Sequence, residues 1–94
     1  MQDRHWRSAL HIFTNCPSLI GRVEKYIDLD DLTIDFAGLK RISRPWSQSE
    51  KFMLNLALHL FDETNQLANL SDMDYLDPNN KQIALKAINF RYAM

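Results

Sequence analysis

Three histidines, one cysteine and two runs of aspartate are the residues of this 94-residue chain whose chemistry is tested first. His5, His11 and His59 are scattered, and the six-residue step from His5 to His11 does not put two rings on one helix face for a shared ion. Cys16 stands alone before Pro17, with no second thiol for a disulfide and no protease signature around it. A half-buried structural thiol is the expectation. The run Asp28-Leu29-Asp30-Asp31-Leu32-Thr33-Ile34-Asp35 has the acidity of a calcium loop. It fails at Leu32, the fifth position, and at Thr33, the sixth, where glycine is required. Capping and a solvated acidic rim are what it predicts. Carboxylates are plentiful, yet no spacing separates an acid from a base, and no glycine-rich loop is present to cradle a phosphate. The chain is therefore expected to be non-catalytic, with no metal site and no cofactor.

Basic residues make a sharper pattern. The segment "LKRISRPWSQSEK" gathers Lys40, Arg41, Arg44, Trp46, Gln48 and Lys51 around the junction of two predicted helices, and these six form the candidate interaction surface. Tryptophan and arginine dominate binding hot spots, so Trp46 beside Arg44 suits an anchor for a protein partner. The plainer reading has Trp46 cover the start of the following helix and join the core. A helix-turn-helix would also place its second helix here, with flanking cations on phosphates. That second helix is too apolar to lie in a groove, and the neighbouring aspartates repel phosphate. A protein partner is favoured, and a small DNA-binding regulator using residues 40–51 is the alternative.

Arg91 is a different case. It falls among Ala87, Ile88, Phe90 and Tyr92, so its stem should lie on apolar surface and its guanidinium should seek a carboxylate. Asp72 or Asp74 of "SDMDYLD" is the expected partner, Asp77 being committed as a helix cap. The alternative is a solvated arginine near a helix C-terminus.

The elements that must hold these groups follow from composition and period. Hydrophobic residues make up 46% and charged residues 24%, an ordinary globular balance, and two glycines with three prolines are too few for a turn-rich β fold. A single domain over residues 1–94 is expected, starting almost inside its first helix, which leaves room for a short N-terminal extension. The net charge of −1 and pI near 6.2 lack the basic excess of a nucleic-acid binder. The longest apolar stretch, from Phe52 to Phe61, is about half of what spans a bilayer. No signal-peptide pattern opens the chain, so a cytoplasmic location is expected and the sequon at Asn69 carries no meaning.

Trp6, Ala9, Leu10 and Phe13 recur at helical spacing in a first helix over 3–14. Pro17 suits the first turn of a second helix through Leu19, Ile20, Val23 and Ile27, with Gly21 marking a close helix contact. A loop and a short helix from Phe36 to about Ile42 follow, closed by Pro45. Ser47-Gln48-Ser49-Glu50 is a capping box. Beyond it Phe52, Met53, Leu54, Leu56, Ala57, Leu58, Leu60 and Phe61 are apolar, while Lys51, Asn55, His59 and Asp62 form one narrow wet stripe. A helix with a single wet stripe is a central one. A turn from Ser71 and a last helix capped by Asp77 ahead of Pro78 complete the reading. The fold class is all-α: a compact four- to five-helix domain around one nearly fully buried helix, monomeric or homodimeric.

Two stretches together resemble a family of short helical proteins from Gram-positive bacteria and their mobile elements. "WSQSEKFMLNLALHLFD" is similar to the family's central segment through Ser47, Glu50, Lys51, Leu56, Ala57, Leu60 and Phe61. "YLDPNNKQIALKAINFRYA" is similar to its ending through Leu76, Asp77, Asn80, Ala84, Leu85, Ala87, Ile88, Arg91 and Tyr92. The resemblance covers the second half of the chain well and the first half loosely. It implies a helical fold and no particular activity.

Overall fold

A computed structural model of the chain describes residues 4–17, 19–28, 30–31, 33–61 and 70–92. Its four α-helices are α1 (Arg4–Asn15), α2 (Phe36–Ile42), α3 (Gln48–Phe61) and α4 (Pro78–Tyr92). Two 3₁₀ segments, Glu24–Tyr26 and Leu70–Tyr75, and a two-residue antiparallel ladder of β1 (Ile27–Asp28) with β2 (Thr33–Ile34) fill the connections. The fold is all-α.

The central helix is α3. Phe52, Met53, Leu54, Leu56, Ala57, Leu58 and Leu60 are all buried, and Lys51, Asn55 and His59 keep the exposed or half-buried stripe. The expected fourth member of that stripe, Asp62, lies outside the described residues. α1 packs against both α3 and α4, burying Trp6, Ala9, Ile12 and Phe13. Leu10, expected in the same row, is only half-buried. α4 closes the core with Ile83, Ala84 and Ala87. Aromatic rings tie the helices at one end: Trp6 meets Phe61 edge-on at 4.9 Å, and Phe36 meets Phe61 at 6.0 Å.

Local signals place the helix starts. The Ser47 amide donates to Glu50 Oε1 at 3.0 Å while Ser47 Oγ accepts from the Glu50 amide at 3.3 Å, the reciprocal bonds of a capping box. Asp77 Oδ1 accepts from the Asn80 amide at 2.7 Å, with Pro78 at the first helical position. Asp35 caps α2 in the same way, accepting from the Gly38 amide at 3.0 Å. Gly38 is itself required there. A Cβ on it would stand 2.7 Å from the Tyr26 ring.

The helix expected from Pro17 to Ile27 is not there. Turns stand at Pro17 and from Leu19 to Arg22, with the Leu19 and Ile20 amides on the Cys16 carbonyl. Gly21 explains the difference, because its φ of +83° interrupts a right-handed helix in a conformation that glycine reaches without steric cost. Nor does it mark a close contact: among the described residues, no atom beyond its chain neighbours lies within 4 Å of where its Cβ would be. Past it, Ile27 pairs with Ile34 and Asp28 with Thr33. Asp28 Oδ1 then accepts from the amides of Asp30 and Asp31 at 3.0 and 3.1 Å, so this aspartate serves as a turn cap.

Candidate functional site

The α2–α3 junction is fixed by backbone bonds and caps before any side chain reaches out. α2 ends as the Ser43 amide donates to the Leu39 carbonyl, and the Trp46 amide donates to the Ser43 carbonyl at 3.0 Å. Ser43 Oγ donates to the Lys40 carbonyl at 3.1 Å, satisfying one of the carbonyls that a helix end leaves over. Pro45 prevents the helix from continuing. Two residues later the capping box starts α3.

The six predicted surface residues lie on this single stretch. Lys40, Arg41, Arg44, Gln48 and Lys51 are exposed. Trp46 is half-buried against the core, so it fulfils the plainer reading with one part of its ring system and keeps another open to solvent. Among the described residues Lys40, Arg41, Arg44 and Lys51 make no ion pair.

Two residues complete the site that the spacing did not assign to it. Arg22, from the turn after α1, stands with Cζ 5.0 Å from the centroid of the Trp46 ring. Its Nη1 also donates to Glu50 Oε2 at 3.3 Å. Glu50 therefore spends one oxygen on the Ser47 amide and the other on Arg22. The Ser47 amide holds the Glu50 carboxyl below its ordinary range, with the Ser47 hydroxyl and Arg22 adding to that and partial burial opposing it. Glu50 was legible as a cap, but no local pattern joins position 22 to positions 46 and 50. The result is a braced junction: Arg22 ties Trp46 to Glu50, and the four neighbouring cations form no ion pair among the described residues.

Arg91 sits elsewhere. Its Nε donates to the Leu60 carbonyl at 3.2 Å, and its Cζ lies 4.7 Å from the Tyr92 ring centroid. The carboxylate expected for it, Asp72 or Asp74, is not the group this nitrogen meets. Leu60 lies in the last turn of α3, whose carbonyls have no partners within the helix, so Arg91 acts as a cap supplied by a different helix.

The remaining chemistry-bearing residues are dispersed. Among the described residues no three of histidine, cysteine, aspartate and glutamate stand together as a metal set. Cys16 is fully buried, deeper than expected, and its thiol lies 3.6 Å from Asn80 Oδ1. His11 sets its ring edge-on to Phe90 at 5.2 Å, with Nε2 buried and unpartnered and Nδ1 3.2 Å from Asn15 Nδ2. Burial lowers its pKa, and Lys86 adds to the effect. Among the described residues no helix is long and apolar enough to cross a membrane. Compared with family models, curated proteins and solved structures, the chain matches none.

Proposed function

We propose that the protein is a non-catalytic interaction module of the cytoplasm whose contact face is the α2–α3 junction, and that its partner is a protein surface carrying carboxylates. The observation that supports this reading is the set of four exposed cations, Lys40, Arg41, Arg44 and Lys51, with no ion pair among the described residues, on a braced backbone. Preorganised charge of one sign favours fast, selective association with a complementary surface. Half-buried Trp46 adds an aromatic anchor that needs little further ordering on binding. The resemblance to helical proteins of Gram-positive bacteria and their mobile elements fits a small accessory protein of this kind.

A DNA-binding role is the second reading, because the same four unneutralised cations flank a helix start, where a helix-turn-helix holds phosphates. The burial of α3 weighs against it. From Phe52 to Leu60 that helix is committed to the core, and of its first turn only Gln48 and Lys51 are exposed.

Native cytoplasm passed over the immobilised chain tests both readings, with the triple variant Lys40→Glu/Arg41→Glu/Arg44→Glu as control. The expected result is a captured protein that the variant loses at unchanged melting temperature. Capture indifferent to the triple variant overturns the junction as the contact face. A salt-dependent shift of duplex DNA by the native chain alone favours the regulator.

A further inference from the structure

The turn after α1 leaves an apolar groove of about 410 Å³ against the helix, and no residue from 40 to 51 lines it. Phe13 and Val23 are its buried floor, Leu10 and Ile27 its half-buried walls. Ile20, on the rim, is 53% exposed. Gly21, in the left-handed conformation, lines the groove without a side chain. Its volume falls in the range of small-molecule sites, which are mostly apolar with a few orienting polar groups.

The polar groups decide what it would take. Thr14 donates its hydroxyl to the Leu10 carbonyl at 2.7 Å, so this group is already used. The cation nearest in sequence on the turn, Arg22, is drawn off to Trp46 and Glu50. Glu24 is thus the one charged residue lining the groove, exposed and with no ion pair among the described residues. The segment that follows carries exposed Asp28, Asp30 and Asp31 against Lys25, an acidic stretch of chain next to Glu24 in sequence.

We propose that the groove binds a small cationic amphiphile. Its hydrocarbon body would lie on Phe13 and Val23 under Ile20, and its ammonium group would meet the Glu24 carboxylate. This site is independent of the partner face at the α2–α3 junction.

Titration of the full ¹⁵N-labelled chain with n-octylammonium, with n-octanol and n-octanoate as chain-length controls, tests the assignment. Octylammonium should give saturable amide shifts at Leu10, Phe13, Ile20 to Glu24 and Ile27. Octanol should bind there roughly fivefold to tenfold more weakly, the worth of one partly exposed charge-assisted contact, and octanoate more weakly still. Glu24→Gln should bring octylammonium down to the affinity of octanol and leave octanol unchanged. Ile20→Ser, an exposed rim position, should weaken both. Equal binding of the three probes, indifference to Glu24→Gln, or the absence of saturable shifts at these residues overturns the proposal. A capped Leu-Lys-Leu peptide that occupies the groove where octylammonium does not would assign it to a protein partner and also overturn it.

Discussion

His11 shows how one residue's surroundings set a solution property. Its Nε2 is buried without a partner, so protonation there would place a cation in apolar surroundings with Lys86 nearby. Both effects hold its pKa below the unperturbed 6.5, so the unfolded chain binds a proton more readily than the folded one. Stability tied to His11 is therefore complete above about pH 6.5 and falls as the pH drops below it. Chemical denaturation from pH 8 to pH 5 should show that decline in the native chain and a flatter profile in His11→Leu. The Glu50 contribution does not overlap, since a depressed carboxyl is fully charged above its ordinary value of 4.5 and loses its bonds only at lower pH. Arg91 gives a second expectation at this scale. Arg91→Met removes the donor to the Leu60 carbonyl and should cost roughly 1–3 kcal/mol in denaturant unfolding. Arg91→Lys keeps a charge near the carbonyl end of α3 and should recover part of that loss. Equal stability of all three chains would show that the Leu60 bond does not cap α3. The sequence placed Arg91 beside the core, but the Leu60 carbonyl as an acceptor was not legible, because a residue pattern displays carboxylates and not the carbonyls at a helix end.

Elements were legible wherever their cause is local. The capping box at Ser47 and the Asp77-Pro78 start depend on atoms at most three residues apart, and both form the bonds their spacing implies. Ser47→Ala and Asp77→Ala should each lower unfolding free energy by about 1 kcal/mol, read as a shift in denaturation midpoint at unchanged slope. An unmoved midpoint would mean that water replaces the caps at no cost. The wet stripe of α3 was equally readable, since one helix's period specifies which positions face out. The segment from Pro17 to Ile34 was not. From Leu19 to Ile27 its apolar residues fit a helical period, but Gly21 at φ +83° breaks the helix, and where a loop was expected a ladder of two residues on each strand arises from pairing across seven positions rather than from any run of its own. The braced junction was half legible for the same reason. Its cations and its cap lie within one stretch, while Arg22 arrives from a turn that sequence spacing had made helical.

At the scale of the whole molecule, the hub is shared. The sequence assigned it to α3 alone, yet α1 lies against both α3 and α4 and contributes Ala9, Ile12 and Phe13 to the same continuous core as Leu54, Leu56 and Ile83. Two helices that bury residues in one core cannot lose their packing separately without exposing each other's apolar face. Ile12→Ala should consequently be as damaging as Leu56→Ala, each at about 2–5 kcal/mol, a large part of the stability of a domain this size. The two tryptophans provide separate reporters, Trp6 within α1 and Trp46 at the head of α3. Thermal unfolding followed by the fluorescence of Trp6 in a Trp46→Phe chain, and of Trp46 in a Trp6→Phe chain, should coincide with the loss of helical circular dichroism recorded on the same chain. An early Trp6 transition, with Ile12→Ala well tolerated, would instead make α1 an appendage to a core that α3 and α4 form by themselves.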